Sequence, residues 1–479
     1  MTRKATRKTT NVELLNQLRD VLGGRRVSRG ETDRLNYGRD LWPRSLLEVR
    51  QGQVPHQPDM IVWPETTEEV SRVLRICNEM RVPVVPFGAG SGLCGAAQPL
   101  CGGVVLDTKR MARIERIVPE TQMIVCQTGI IGAHLENELN RHGLTMGHFP
   151  GSFGTSTLGG YLATRSAGMA ATGYGKIEDM LISMQVVLAD GSVNRTRTAP
   201  RRATGPDFNH LFLGSEGSLG VITSASMRAH MLPEARAYRA LSFKKMDVGL
   251  AAVRQMLRLG LRPAIARLSD EADASTTLHA LGVEAKDCVL LLVFEGRVAR
   301  VDLEMKKALA IARELGGRDF GEATAQRWYG RRNSEQYRQS PLMTEEKLLL
   351  DTVEVSTVWS NAAHLYTAMR KALSKKVSVL GVMPHAYPEG CSLAFTIISR
   401  AGSADDLAAY DAVWRLALDA AAQAGGALSH AHGIGRLKFD RLARQSPVAV
   451  ELLRGMKRRL DPNDILNPGK LAPCTEGAC

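Results

Sequence analysis

Apolar residues recur along the chain in short groups that change period from one segment to the next. After Thr66, residues Val70, Val73, Leu74, Cys77 and Met80 fall at three- and four-residue spacing, the stripe of one helix face. Thr66 and Glu69 form a capping box ahead of that stripe, each side chain meeting an orphan backbone donor. Val82-Pro-Val-Val-Pro-Phe87 is too short and too proline-rich for a helix, so it reads as a strand. Gly103–Asp107 and Met123–Cys126 also read as strands, and a helix is expected from Gly132 to Leu139. Met184–Leu188 and the segment from Val193 flank Asp190-Gly191, a strong hairpin signal. Beyond about residue 235, strands such as Val289–Phe294 alternate with long amphipathic helices such as Leu303–Leu315. The pattern predicts an α+β protein. Residues 1–54 form a helical lead-in, 55–235 a first domain, 236–425 a second α+β domain, and 426–479 a segment returning to the interface.

Between these elements lie three loops of small residues. Pro86, Phe87, Gly88, Ala89, Gly90, Ser91 and Gly92 follow a strand directly. Glycine lets the backbone turn its N–H groups inward, making a concavity suited to a pyrophosphate. A nicotinamide-binding Rossmann loop opens into a helix. Here Pro99 and Gly102-Gly103 prevent one, and the phosphates are expected on loop amides without a helix dipole. The second loop supplies Gly151, Ser152, Phe153, Gly154, Thr155, Ser156, Thr157 and Gly159. The third supplies Glu216, Gly217, Ser218, Leu219, Gly220, Val221 and Ile222. All three together fit an extended dinucleotide threaded through one domain, in a flavin fold rather than a Rossmann fold.

Charge and cysteine content then narrow the picture. The formal net charge is +13, with basic residues gathered at Arg25-Arg26, at Arg195, Arg197, Arg201 and Arg202, and at Lys457-Arg458-Arg459. Arg327, Arg331 and Arg332 are interleaved with aromatics, but no nucleic-acid motif accompanies them, and no nucleic-acid partner is expected. An anionic substrate, the cofactor pyrophosphate or an anionic membrane surface accounts for the excess. No run of 18 apolar residues is present, so a membrane span is not expected. The basic, threonine-rich N-terminus reads as a disordered tail, and the expected location is cytoplasmic, peripheral to a membrane at most. Eight cysteines without a C-x-x-C pair argue against an Fe–S or zinc site and for reduced thiols, with Cys474 and Cys479 on a polar tail.

With those loops in place, the chain resembles FAD-linked oxidases of the vanillyl-alcohol-oxidase and p-cresol-methylhydroxylase (PCMH) type over about residues 55–475. Pro86–Gly92, Gly214–Ile222 and Asn467-Pro-Gly-Lys470 carry the likeness. The resemblance implies a two-domain fold with FAD between a flavin domain and a cap domain. Covalent members often attach FAD to a histidine of the first loop; residues 86–95 contain none, so non-covalent FAD is expected. Gly147-His-x-Pro, Ser156–Gly160, Arg267–Asp270 and Ser429–Gly435 look most like alkyldihydroxyacetonephosphate synthases. So does Thr164–Met169, which adds Thr164, Arg165, Ser166 and Ala167 to the cofactor residues. Such enzymes exchange the acyl chain of acyl-dihydroxyacetone phosphate for a fatty alcohol in ether-lipid synthesis, with no net oxidation.

Residue by residue, the resemblance makes Tyr387 a proton-abstracting phenol, which needs nearby cations or the flavin to lower its pKa. It makes Arg267 and His385 the substrate's anion contacts, and Arg267, His430 and His432 part of the catalytic set. A salt bridge with Asp270 is the plainer role for Arg267. Lys176, Glu178 and Asp179 are expected to set a loop against the flavin, and Glu354, Ser356 and Trp359 resemble a cap-domain motif. The synthases carry three consecutive histidines where this chain has His430-Ala431-His432. The D-lactate and glycolate dehydrogenases, the second branch, place a metal-binding glutamate at Ala431 and a second histidine after His385, where Glu389, Gly390, Cys391 and Ser392 stand. With two ligands missing, no metal is expected. A dehydrogenase would also need an electron acceptor, while the third reading is a flavin-binding protein with a decayed site. A small anionic substrate and a homodimer are the expected partners.

Overall fold

The computed structural model describes residues 2–333, 345–403 and 405–471. The Thr66 hydroxyl accepts from the Glu69 amide at 3.1 Å and starts helix Thr67–Glu79, while the Glu69 carboxylate accepts from the Glu65 amide and pairs with Arg26, both at 2.7 Å. The apolar stripe Val70, Val73, Leu74 and Cys77 is fully buried. It packs on a four-stranded sheet in the order Val27–Ser28, Met60–Val62, Val104–Asp107, Val84–Phe87. The last three strands run parallel, and Val27–Ser28 of the lead-in adds an antiparallel edge. The basic N-terminus, expected as a disordered tail, is instead the start of helix Thr2–Leu22. Leu14, Leu18 and Leu22, spaced four apart, hold that helix to the core.

A five-stranded antiparallel sheet follows, ordered Ile114–Val118, Met123–Gln127, Val221–Arg228, Leu181–Val187, Val193–Arg195. Its last pair is the hairpin that Asp190-Gly191 announced, with Val187 opposite Val193 and Gly191 at φ +81°. The second domain is built on a seven-stranded antiparallel sheet. Strand Ile265–Ser269 is the middle one, and helices Met246–Arg258, Val298–Glu314 and Ala362–Leu373 pack on the sheet.

The final segment returns to the first domain. Asn467 N–H donates to the Val84 carbonyl at 2.8 Å, and Val84 N–H donates to the Ile465 carbonyl at 2.7 Å, prolonging the parallel sheet by one bridge. Lys457 is 1% exposed and binds Asp461, with the Leu466 carbonyl at 2.6 Å. A buried cation with a buried anion and a carbonyl fixes the turn before Asn467.

Among the described cysteines, Cys77, Cys94, Cys126, Cys288 and Cys391 are free. Cys101 is disulfide-bonded, so the expectation of reduced thiols fails there. Cys474 and Cys479 lie outside the described residues.

Candidate active site

The three glycine-rich loops meet. A Cβ on Gly88 would overlap Thr157 Oγ1, so the first loop lies directly on the second. Ser91 Oγ and Ser156 Oγ are 2.5 Å apart. Gly217, at φ +73°, leaves room for Pro86, whose ring carbon lies 2.9 Å from where a Cβ would stand, so the third loop touches the first. Asn467 donates to the Glu216 carbonyl at 2.7 Å and to the Ala96 carbonyl at 3.0 Å, and Lys470 Nζ reaches the Ala96 and Gln98 carbonyls. The C-terminal Asn467-Pro-Gly-Lys470 therefore clips the first and third loops together.

The loops wall one side of a cavity of about 930 Å³, and the second domain's sheet walls the other. Residues 86–92 line it, as do Gly151, Ser152, Thr155, Ser156, Thr157, Gly159, Thr164, Ser166, Ala167, Glu216, Gly217, Gly220, Val221 and Ile222. Phe153, Gly154, Arg165, Ser218 and Leu219 do not. Arg165 sits at φ +54° and pairs with Glu178 at 3.3 Å, Ser218 Oγ donates to the Ser215 carbonyl, and Leu219 is in the core. The Glu216 side chain is also engaged, accepting from the amides of Ile434 at 2.6 Å and Gly435 at 2.9 Å. The second loop opens into helix Leu158–Thr164, capped by Thr157, so one of the three loops does have a helix start behind it. Backbone amides and hydroxyls, with no free carboxylate aimed inward from the first two loops, form a donor set that fits a diphosphate.

Across the cavity stands a buried carboxylate among imidazoles. Glu354, from strand Leu348–Val358, is 4% exposed. His430 Nδ1 lies 3.0 Å from its Oε1, His385 Nδ1 3.5 Å from the same oxygen, and His432 Nε2 3.5 Å from Oε2. Burial works against the Glu354 charge, but His430 and His432 and the hydrogen bonds from His385 and His430 hold it well below the usual carboxylate range. Burial lowers His385 and His432. His385 Nδ1 also meets Ser392 Oγ at 3.0 Å, and the His385 and His430 rings stack with centroids 5.0 Å apart.

Glu354, His385 and His432 line the cavity; His430 and Tyr387 stand behind them. Tyr387 Oη lies 2.8 Å from His430 Nε2, which gives the order Tyr387, His430, Glu354. Trp359 Nε1 donates to the Tyr387 carbonyl at 2.9 Å, and Lys176 Nζ donates to the His430 carbonyl at 2.7 Å, so both fix the chain in place. The expected lowering of the Tyr387 pKa is absent. Burial, then Glu354, Glu178, Asp179 and Glu389, push the phenol above its ordinary value of 10.

One end of the cavity is cationic. Arg267 lines it, but pairs with Asp273 at 3.0 Å rather than with Asp270, which caps helix Glu271–His279 and binds Arg370. Its guanidinium lies 5.9 Å from the Trp328 ring centroid. Arg332 lines the same end, stacked 3.6 Å over Tyr329, its Nη1 donating to the Tyr329 carbonyl at 2.6 Å. Thus two guanidiniums face one carboxylate.

Sequence reasoning gave Glu354 no place beyond a cap-domain motif, and no role to Trp328 or Arg332. An acid inside the apolar run Val353-Glu-Val355 was the available signal for the first. Nothing in the Arg327–Arg332 cluster distinguished the inward arginine from the outward ones.

His148, beside this site, is 3% exposed, and neither ring nitrogen has a partner. Burial lowers its pKa to about 3. Below pH 6.5 the unfolded chain therefore binds a proton that the folded chain refuses, so stability falls as pH falls. His148→Phe should remove about 1 kcal/mol of that loss between pH 7.5 and 5.5, read from denaturant unfolding at both pH values.

Residues 58–197 match the family described as "FAD binding domain", and residues 232–471 match "FAD linked oxidases, C-terminal domain". The chain belongs to the FAD-linked oxidase family. FAD is its cofactor. The alkyldihydroxyacetonephosphate synthase of Dictyostelium discoideum is 30% identical over 472 residues, spanning 91% of this chain and 76% of that protein. A probable mitochondrial D-lactate dehydrogenase of Danio rerio is 29% identical over 486 residues, spanning 99% and 95%. A solved alkyldihydroxyacetonephosphate synthase superposes with a TM-score of 0.81 at 26% identity, over 96% of this chain and 86% of that one. The expected two-domain FAD-binding fold is the fold of this chain. Among the described residues, no helix is long and apolar enough to cross a membrane.

Proposed function

We propose that this FAD enzyme acts on an anionic carbonyl or hydroxy substrate by chemistry of the alkyldihydroxyacetonephosphate synthase type. The observation that carries the reading is the Glu354, His385 and His432 wall on a cavity that Arg267 and Arg332 also line. Bound FAD, held without a covalent bond, supplies an electrophilic and redox-active ring. The protein supplies the anion anchor and the proton path. A proton leaving the carbon beside the substrate carbonyl is taken up at the imidazole wall, and Glu354 stabilises the imidazolium that forms. His430 and Tyr387 continue the path behind the wall. Tyr387, with its raised pKa, stays protonated and positions His430 rather than acting as the base. The Glu354 cluster also argues against a decayed site, since a buried carboxylate with this many imidazoles is an expensive arrangement to keep.

A second reading has its own observation. Donor atoms of Glu354, His385 and His430 lie within 4.8 Å of one another, close enough to serve one divalent ion. Glu354 would then replace the glutamate missing at Ala431, and the substrate would be a D-2-hydroxy acid.

The deciding experiment uses the purified yellow protein. Acid should release its FAD, and acyl-dihydroxyacetone phosphate with a long-chain alcohol should yield an ether product. D-lactate or glycolate bleaching the flavin anaerobically, with or without added divalent metal, would overturn the synthase reading in favour of the dehydrogenase.

Under either reading, Arg332→Met should raise KM about tenfold or more with a smaller change in kcat, because it removes a charged contact held in ground and transition state alike. Equal losses in kcat and kcat/KM would place Arg332 at the reacting centre instead.

A further inference from the structure

Helix Pro447–Leu460 carries apolar residues on two faces. Val450, 3% exposed, and the buried stem of Lys457 turn inward, and Leu453 packs against the first domain's core. On the outer side, Val448, Leu452 and Met456 recur every four residues, and Leu460 carries the row on to the first domain's core. Val448 is 74% exposed and Leu452 66%. An ordinary surface helix keeps that side polar. Together with Leu211 from the short helix Phe208–Phe212, this stripe lines an open groove of about 610 Å³. Phe208, one turn before Leu211, adds an aromatic ring that is 57% exposed.

The groove is set in basic chain. Apart from the buried Lys457, residues 441–459 hold five basic residues (Arg441, Arg444, Arg454, Arg458, Arg459) against the single acid Glu451. Glu451 and Arg459 both line the groove, and the Glu451 carboxylate is shared between Arg458 at 3.0 Å and Arg454 at 3.9 Å. Apolar side chains standing out of a helix whose last turn exposes Arg458 and Arg459 match the needs of an anionic bilayer surface. Burying the same face against a second copy would crowd Arg454, Arg458 and Arg459 of both copies around one Glu451 carboxylate from each.

We propose that this groove docks the protein on an anionic membrane surface, with Val448, Leu452 and Phe208 entering the headgroup boundary and Arg454, Arg458 and Arg459 meeting lipid phosphates. The site is separate from the flavin cavity, and the inference does not rest on the proposed reaction.

The test is co-sedimentation of the FAD-loaded full chain with vesicles of phosphatidylcholine alone, or of phosphatidylcholine with phosphatidylglycerol. Binding is expected only to the anionic vesicles and should weaken as salt rises. The double variant Val448→Ser/Leu452→Ser and the single variant Arg459→Glu should each lower the partition coefficient, the double variant by about tenfold. Both should keep the flavin spectrum and Tm, because the altered side chains touch solvent. No pelleting of wild type at low salt, or equal pelleting by wild type and both variants, would overturn the proposal. A dimer in size-exclusion chromatography that Val448→Ser/Leu452→Ser dissociates would overturn it in favour of self-association.

Discussion

Glu354→Gln should lower kcat by about 10²–10⁴ while leaving FAD bound, the scale expected when a positioned proton-transfer group loses its charge partner. The substitution keeps the shape of the side chain and removes only the negative charge that three imidazoles face. Without that charge, the imidazolium formed during proton uptake stands unneutralised in a buried site. The His430 Nδ1, 3.0 Å away, is left with a neutral amide oxygen as a weaker acceptor. Tyr387→Phe should do less, about tenfold or below, because the phenol reaches the cavity only through His430 and its lost hydrogen bond is worth about 1 kcal/mol. The measurement is turnover of whichever substrate the product and bleaching assays identify, with flavin absorbance and Tm as fold controls. A reversed order, with Tyr387→Phe the more damaging, would restore the phenol as the base and sink the Glu354 assignment. The pH profile gives an independent check. The Glu354 charge favours the protonated forms of His385 and His432, so the glutamine variant should move the acid limb of the profile to lower pH.

Much of the scaffold was readable because local signals agreed with one another. The Thr66–Glu69 cap, the stripe from Val70 to Cys77 and the Asp190-Gly191 hairpin each depend on a few adjacent residues, and each has a counterpart in the structure. The three glycine-rich loops were readable for the same reason, as backbone that only small residues permit. What escaped was whatever depends on distant partners. Arg267 has a carboxylate three residues on at Asp270 and another six on at Asp273; strand and cap geometry send Asp270 to its own helix and to Arg370. Tyr387 as a base needs cations or the flavin beside it, but Lys176 spends its ammonium on the His430 carbonyl and on Glu178, so among the protein groups burial and then carboxylates act on the phenol. Glu354 meets histidines 31, 76 and 78 positions away, a meeting that no local pattern encodes.

The second large effect is expected at Gly435. Gly435→Ala should release most of the bound FAD, although the residue lies far along the chain from the three glycine-rich loops. Gly435 adopts φ +51°, and a Cβ there would overlap the Cys94 carbonyl, which is backbone and has no side chain to rotate away. Its amide donates to Glu216 at 2.9 Å, and the next amide, of Arg436, donates to the same Cys94 carbonyl at 2.9 Å. One small residue therefore lets the returning segment hold the first and third loops at once. Alanine adds roughly 1–3 kcal/mol of strain, relieved only by moving the chain off Cys94. That movement unseats the Glu216 carboxylate, leaving a buried charge short of donors. Gly316→Ala separates the two contributions: φ is +76° there, but nothing lies within 4 Å of the added Cβ, so it carries the backbone penalty alone. FAD titration of the apoprotein should show weakened binding for Gly435→Ala and near-wild-type binding for Gly316→Ala. Equal affinity in both would mean that the returning segment does not brace the loops, and that the loops hold their shape unaided.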